Sequence, residues 1–537
     1  MERATVVVIG GGATGLGILR DLSMRGVDTL LLEKRDLVNG ASSRYHGLLH
    51  SGARYAVKDQ EAAKECIIEN NILRRIGKSC VEATEGLFVR LDTDEDPSYE
   101  AKWVEGCKAS GINAIPIDVV EARRLEPHLS PHVVSAYRVP DAAIDGFRMS
   151  WQNVESAKRY GGRVKTYTEV IGINVESGVV KGVRVCDYLT KEEYDISCDM
   201  LINAAGPWSG FIAKMAGLDV HVQPDKGTLI VFNQRISSRV VNRLRKSSDG
   251  DIFVPHGSVT ILGTSSMSIP DPEDTSTSLA EVEKLMRVGE EVFEHLRDYR
   301  ILRVFAGSRP LYSASGGTGR GASRGFAIVD HEEHDGLKGM MTIAGGKFTT
   351  YRLMAEKMAD QVCKKLQVSA PCRTAEEPLV PAVSEEQKKR AKKFFPSYGT
   401  NLAATRLGPE KFAKVLKKLE TQPEMREVIC ECENVTLAEL DEIAKEATSH
   451  SIGDVRRRTR LGMGTCQGNF CALRSACILA EHDNLLAHNE PLGQMKKFVQ
   501  ERYKGIRPVL WGRTLRETEM TRALYELTFN VNGRKPQ

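Results

Sequence analysis

The sequence predicts an α/β chain: a Rossmann-like, doubly wound dinucleotide domain carrying an inserted mixed α+β domain, followed by a small helical domain that holds four cysteines. Three observations predict it. An apolar run, Val6-Val7-Val8-Ile9, ends in the glycine loop Gly10-Gly11-Gly12-Ala13-Thr14-Gly15. Strand-like runs recur later, separated by long mixed stretches. Cys430, Cys432, Cys466 and Cys471 form two close pairs near the far end.

Residues 4–9 read as a strand, 13–25 as a helix through Leu16, Leu19 and Leu22, and 28–33 as a second strand ending at Glu33. This is the opening βαβ unit of a doubly wound sheet. Val170 to Val175, Val179 to Val185 and Asp199 to Asn203 supply further strands, so the dinucleotide domain is assembled from separated pieces within residues 1–367. Between those pieces, roughly 45–160 and 218–325 should form the inserted substrate domain, with a helix from about 278 to 298 and strands at Thr228 to Phe232 and Val259 to Leu262. Residues 368–386 contain Pro371, Pro378 and Pro381 without an apolar period and read as a linker. Residues 387–420 then read as a helical connector, 421–480 as the cysteine domain and 481–537 as a C-terminal helical segment.

Composition narrows the function classes. The 537 residues suggest about three or four structural units, and a hydrophobic content of 41% supports ordinary cores. Lysine and arginine number 75 against 71 acidic residues, and a net charge of +4 gives no global case for nucleic-acid binding. The first apolar run stops at glycines, and no run approaches the roughly 18 apolar residues of a membrane span, so no signal peptide or transmembrane helix is expected and a cytoplasmic address is. Twelve cysteines fit a reducing compartment. Eight of them, Cys66, Cys80, Cys107, Cys186, Cys198, Cys363, Cys372 and Cys477, lack ligand spacing and read as small buried hydrophobes.

The glycine loop has a specific chemistry. In Gly10-x-Gly12-x-x-Gly15 the first glycine permits the tight turn, the second lets backbone approach a pyrophosphate, and the third brings helix close to strand. Phosphates then meet free N–H groups at a helix N-terminus. Glu33, eighteen positions past Gly15, is placed to accept hydrogen bonds from ribose hydroxyls. The polar loop Ala41-Ser42-Ser43-Arg44 and the run His46-Gly47-Leu48-Leu49-His50-Ser51-Gly52 suit a bulky cofactor. Ile343-Ala344-Gly345-Gly346-Lys347-Phe348-Thr349-Thr350-Tyr351-Arg352 repeats the strand, glycine turn and helix, and its helix start could face the negative charge of a reduced flavin.

Five stretches carry a resemblance: His50 to Tyr55, Asn203 to Trp208, Lys226-Gly227-Thr228, Gly307 to Leu311 and Gly345 to Arg352. In this order, over roughly residues 1–365, the chain resembles the FAD-dependent glycerol-3-phosphate dehydrogenases within the D-amino-acid-oxidase-like flavoproteins. With its cysteine domain it is similar to the anaerobic members of that family. The resemblance implies FAD as cofactor, held by Gly10, Gly12, Ala13, Thr14, Gly15, Glu33, Lys34, Ser42, Ser43, His50, Val170, Ala204, Ala205, Gly206, Gly345, Gly346, Lys347, Phe348 and Thr349. It implies a substrate phosphate gripped by Arg54, Arg309 and Arg324 with Lys347, and contacts from Tyr55 and Thr264. Arginine suits that task because its fork makes paired, charge-assisted hydrogen bonds.

Oxidation of a secondary alcohol also needs a base near neutral pH, and His50 is the candidate; Arg54, Arg309 and Lys347 complete the expected catalytic set. One departure stands out: Gly325-Phe326 follows Arg324, where aerobic relatives carry an acid and a tyrosine.

Cys430-x-Cys432, then 33 residues, then Cys466 and Cys471 with four between them, resembles the two-iron domain of bacterioferritin-associated ferredoxin. Four thiolates can complete a [2Fe–2S] cluster or bind one zinc. The run Arg456-Arg457-Arg458 with Arg460 could raise a cluster potential, dock an acidic partner or form a solvated helix face. The resemblance further implies oxidation of sn-glycerol 3-phosphate to dihydroxyacetone phosphate, with electrons leaving through the cluster. Their path would cross a second flavoprotein subunit, which could carry FMN, and a membrane-anchoring iron–sulfur subunit, ending at quinone. The chain would then be peripheral on the cytoplasmic side of the inner membrane. The alternative enzyme is a flavin-dependent amino- or hydroxy-acid dehydrogenase with the same cysteine appendage.

Overall fold

In the computed structural model, which describes residues 2–312, 325–482 and 491–529, strand Glu2–Ile9 lies at the centre of a parallel sheet. It pairs with Glu193–Asn203 on one side and Thr29–Leu32 on the other. Met340–Gly345 and Arg163–Lys165 extend the parallel array at its two ends. Because side chains alternate along a strand, Val6 and Val8 face one layer and Val7 and Ile9 the other. The first layer is helical, from Ala13–Met24, Gly146–Arg159 and Tyr351–Lys365. The second is covered by the hairpin Thr168–Glu176 and Val179–Asp187, whose Val170, Val183 and Val185 are buried there. Both faces being covered, the central strands are continuously apolar, as a parallel sheet requires.

The second sheet is mixed and nine-stranded. Its longest partners, Val222–Phe232 and Ile301–Tyr312, run antiparallel in one ribbon, followed by strands from 240–263 and from 86–139. Two expectations for this region need correction. The inserted unit does not run to about 160, because Gly146–Arg159 packs on the dinucleotide sheet, where Trp151, Val154 and Ala157 enter its core. The helix expected over 278–298 ends at Glu290. Ser278 and Glu281 form a capping box at its start; beyond its end the chain bends to bury Phe293 edge-on to Phe253, with ring centroids 4.7 Å apart.

Residues 368–384 contain neither helix nor strand, yet they are strapped to the first domain. Arg20, buried on the first helix, donates to the Thr374 and Glu377 carbonyls, and Leu379 is fully buried. The helices Glu385–Ala391 and Ser397–Thr421 follow, the second kinked at Gly408-Pro409. The cysteine unit adds a short hairpin, Val428–Cys430 with Val435–Thr436, and helices Leu437–Ala444, Ile452–Thr459 and Ala472–Ala480 around Phe412, Leu440, Val455 and Leu479. Helix Pro491–Ile506 returns across the molecule, placing Phe498 in this core and Gly505 against the backbone of Val304. No helix among the described residues is long and apolar enough to cross a membrane.

Candidate active site and cysteine centre

The glycine loop is built by exclusion of side chains. Gly10 has φ +112°, and a Cβ there would stand 2.6 Å from the Ala204 carbonyl oxygen; one at Gly15 would stand 2.0 Å from the Gly10 oxygen. Gly12 precedes helix Ala13–Met24, and the Ala13 N–H donates to Ser42 Oγ at 2.9 Å. Glu33 accepts from the Gly11 N–H at 2.8 Å and the Arg35 N–H at 2.9 Å, which fixes the carboxylate at the strand end. Burial raises its pKa while those N–H groups act the other way. Gly15→Ala is therefore expected to yield protein without bound flavin, or none soluble, measured as the 450 nm absorbance per chain of purified protein.

The opposite wall is the turn after Met340–Gly345. Gly345 and Gly346 have φ +86° and +76°, and the chain passes through a short 3-10 turn, Phe348–Thr350, into helix Tyr351–Lys365. Thr349 Oγ1 accepts from the His50 N–H at 3.1 Å, and Phe348 stacks on Tyr45 at 4.8 Å. The two halves of the cradle, 299 residues apart in sequence, are thus directly bonded.

The residues expected on the substrate side lie in contact with one another. The Lys347 ammonium lies 5.0 Å over the Tyr55 ring, Tyr55 is 5.3 Å from His50, and His50 is 5.5 Å from His46. Arg54 donates to Asp251 Oδ2 at 2.8 Å, and Arg309 pairs with Asp225 and donates to Thr264 Oγ1 and, at 3.0 Å, the Ser265 carbonyl. Both aspartates are fully buried, so each guanidinium is aimed by a carboxylate behind it. Arg54 and Arg309 also act on His46: burial first, then these two cations, push its pKa down to about 3, so its imidazole is neutral at pH 7. His46 Nδ1 accepts from the Leu48 N–H at 3.1 Å, leaving the proton on Nε2. A Cβ at Gly227 would come within 2.2 Å of Arg309 Nη2, so a side chain there would displace this guanidinium from its present position.

Sequence reasoning brought His50, Arg54, Tyr55, Thr264, Arg309 and Lys347 to this place but missed His46, Asp225 and Asp251. Of the remaining expected residues, Lys34 is engaged by Glu273 at 3.0 Å and lies 5.0 Å over Trp208, and Val170 points its side chain into the hairpin core. Arg324 lies outside the described residues.

At the far end the four cysteines come together as linked pairs: Cys430 with Cys471, and Cys466 with both Cys432 and Cys471. Contact with Cys471 and the backbone N–H groups of Gly462 and Glu433 hold Cys430 down to about 7, against burial. N–H groups of Phe470 and Gly468 act likewise on Cys466. A Cβ on Gly464 would meet that of Cys432 at 2.3 Å, so the loop admits only glycine there. No group of three or more His, Cys, Asp or Glu among the described residues gathers around a single ion position. Paired thiols with N–H groups turned toward sulfur nevertheless suit a binuclear cluster. Of the eight other cysteines, Cys66, Cys80, Cys107, Cys198 and Cys363 are buried as expected, Cys186 and Cys372 are half-buried, and Cys477 is exposed, contrary to that reading.

The arginine run is no solvated face, which corrects that reading. Arg457 and Arg458 bond to Asp36 of the dinucleotide domain, and Arg460 pairs with Glu433 and Asp145.

This cradle and fold define a flavin-dependent oxidoreductase: residues 5–361 match the FAD dependent oxidoreductase family and 428–481 the BFD-like [2Fe-2S] binding domain. FAD and a [2Fe–2S] cluster are its cofactors. The chain is 42% identical to the A subunit of anaerobic glycerol-3-phosphate dehydrogenase from Haemophilus influenzae over 99% of its length and 94% of that protein's, and 42% identical to the Escherichia coli counterpart over 98% and 96%. It belongs to this family of anaerobic glycerol-3-phosphate dehydrogenase A subunits. The solved FAD complex of glycerol-3-phosphate dehydrogenase from Bacillus halodurans shares the fold, with a TM-score of 0.71 at 21% identity, covering 95% of this chain and 97% of that one.

Proposed function

We propose that the chain oxidises sn-glycerol 3-phosphate to dihydroxyacetone phosphate and passes the electrons to the cysteine centre. The observation that carries the reading is the pair Arg54 and Arg309, each aimed by a buried aspartate, beside a neutral His46 and the His50–Tyr55–Lys347 contact chain. A phosphomonoester brings nearly two negative charges, which these cations answer. Arg324 is proposed to join them. FAD, when bound, supplies the acceptor for the hydride leaving carbon 2. His50 takes the hydroxyl proton in this scheme, and Lys347 stabilises the negative oxygen that forms. An amino- or hydroxy-acid substrate would need a carboxylate clamp in place of the two-arginine grip.

Cys430, Cys432, Cys466 and Cys471 are the proposed cluster ligands. Because its relatives are components of a multi-subunit enzyme, the chain is proposed to work with a second flavoprotein subunit, which could carry FMN, and a membrane-anchoring iron–sulfur subunit that reaches quinone, on the cytoplasmic side of the inner membrane. The test is substrate-driven bleaching of FAD in the purified protein. Glycerol 3-phosphate should reduce it, while proline, glycine and lactate leave it oxidised; the reverse pattern sinks the proposal. In Cys466→Ser, FAD bleaching should persist while the electron paramagnetic resonance signal of the reduced cluster disappears.

A further inference from the structure

Between the dinucleotide domain, the second sheet and the cysteine unit lies a partly open cavity of about 620 Å³, a size typical of small-molecule sites. Neither Gly10–Gly15 nor Gly345–Thr349 lines it, but it adjoins the flavin cradle through Ser42 and Ser43, two of the expected FAD contacts, and continues along Arg44, Tyr45 and Gly47. On the other side it is bounded by Met463 and Gln467 of the cysteine loops.

Its charge is out of balance. Arg44, Arg303, Arg456 and Arg502 all line it, and none of them forms an ion pair among the described residues. The neighbouring Arg457, Arg458 and Arg460 are satisfied by Asp36, Glu446, Glu433 and Asp145, so those carboxylates are already engaged. Glu273, which also acts on Arg44, is bound by Lys34 and Arg35. Glu501 acts on Arg44, Arg303 and Arg456, while Arg502 faces Cys466 and Cys471 of the cysteine centre.

The Nε atoms of Arg303, Arg456 and Arg502 are buried without a hydrogen-bond partner. Arg502, only 5% exposed, donates to neutral acceptors, Gln467 Oε1 and the Gly462 carbonyl. Burial and repulsion from neighbouring arginines push Arg303 down to about 10 and Arg456 well below its ordinary value. A guanidinium does not lose its proton near pH 7, so Arg44, Arg303 and Arg456 keep a positive charge that Glu501 alone does not balance.

We propose that this cavity binds a second phosphorylated ligand, a mononucleotide-type phosphomonoester on a planar ring, whose phosphate is gripped by Arg303, Arg456 and Arg502. Forked guanidiniums match phosphate geometry, and the rings of Tyr45, Tyr167 and Phe498 on the walls offer faces for a planar group. The Tyr45 hydroxyl, buried without a partner, is a further donor at the same wall. The site touches both the loop Ser42 to Gly47, which also borders the flavin cradle, and the loops of the cysteine centre.

The test uses the full-length, FAD-loaded protein prepared in phosphate-free buffer. Heat-released phosphorus is counted against FAD, which carries two phosphorus atoms, and the dialysed protein is titrated with FMN, AMP and inorganic phosphate. The expected result is either one extra phosphorus per chain or saturable binding of FMN or AMP. In Arg303→Ala/Arg456→Ala the affinity should fall at least 100-fold with FAD content unchanged, and in Arg303→Lys/Arg456→Lys it should recover in part. If the double alanine variant loses FAD, the wild-type and lysine proteins decide. Binding of inorganic phosphate without either mononucleotide overturns the assignment. So does a phosphorus count equal to that of FAD with no binding of any probe, or mononucleotide binding that ignores the arginine changes.

Discussion

Arg309→Ala is expected to lower kcat/KM for glycerol 3-phosphate about 10³-fold, a loss of about 4 kcal/mol in transition-state binding. Two effects add. The substrate phosphate loses one of its fixed cations, and Asp225, fully buried, loses the partner that neutralises it. Removing one member of a buried pair typically costs about 3–5 kcal/mol, because the remaining charge is stranded. Thr264 Oγ1 and the Ser265 carbonyl lose their donor at the same time, so the wall of the site loosens with the charge. Arg309→Lys keeps a positive charge but cannot serve Asp225, Thr264 and a phosphate together through one fork. It should therefore retain fold and FAD while KM rises more than kcat falls. Arg309→Ala/Asp225→Ala separates the two effects: thermal stability should recover relative to the single variant, and activity should not. Steady-state kinetics with a dye acceptor and thermal unfolding of the same preparations check both.

How much of this was legible in the chain depends on the kind of constraint. Gly10, Gly15 and Glu33 could be read because each is fixed by a local backbone need, an atom that leaves no room for Cβ or an acid at a strand end. His50, Arg54, Arg309 and Lys347 became legible through family motifs, and the structure brings them to one side of the cradle. Asp225 and Asp251 gave no such signal. They act from 84 and 197 residues away on Arg309 and Arg54, and nothing in their own surroundings in the chain distinguishes them from surface aspartates. His46 stood inside a quoted motif, but its neutrality follows from cations that only the fold places beside it. The run Arg456 to Arg458 was ambiguous for the same reason. A charge cluster states its sign, while its partner, Asp36, is 421 residues away in sequence from Arg457.

That partner makes the second large prediction. Asp36 is fully buried and accepts from Arg457 Nε at 2.5 Å and from Arg458 at 3.0 and 3.2 Å. Arg458 in turn lies 3.9 Å over the Trp151 ring, so one carboxylate and one indole of the dinucleotide domain hold the helix that precedes Cys466. Asp36→Ala strands two buried guanidiniums and should cost about 3 kcal/mol, Asp454 and Glu446 retaining part of their charge balance.

The loss falls on the junction between the flavin and the cysteine centre, so the expected phenotype is split. Glycerol 3-phosphate should still bleach FAD, while reduction of the cluster slows by at least tenfold and the cysteine unit becomes sensitive to limited proteolysis. The junction should also fail in acid. Burial opposes ionisation of Asp36, but Arg458 and Arg457 outweigh it and hold its pKa below the ordinary carboxylate value. A carboxylate whose folded pKa is depressed stabilises fully above its unfolded value, about 3.9, and that contribution is lost as pH falls through the folded pKa. Wild type should therefore keep its flavin-to-cluster coupling down to about pH 4 and lose it below, whereas Asp36→Asn should be weakly coupled throughout and show no such step. Stopped-flow traces at the flavin and cluster wavelengths across pH distinguish these outcomes, since a cluster that detached for other reasons would lose coupling in both proteins alike.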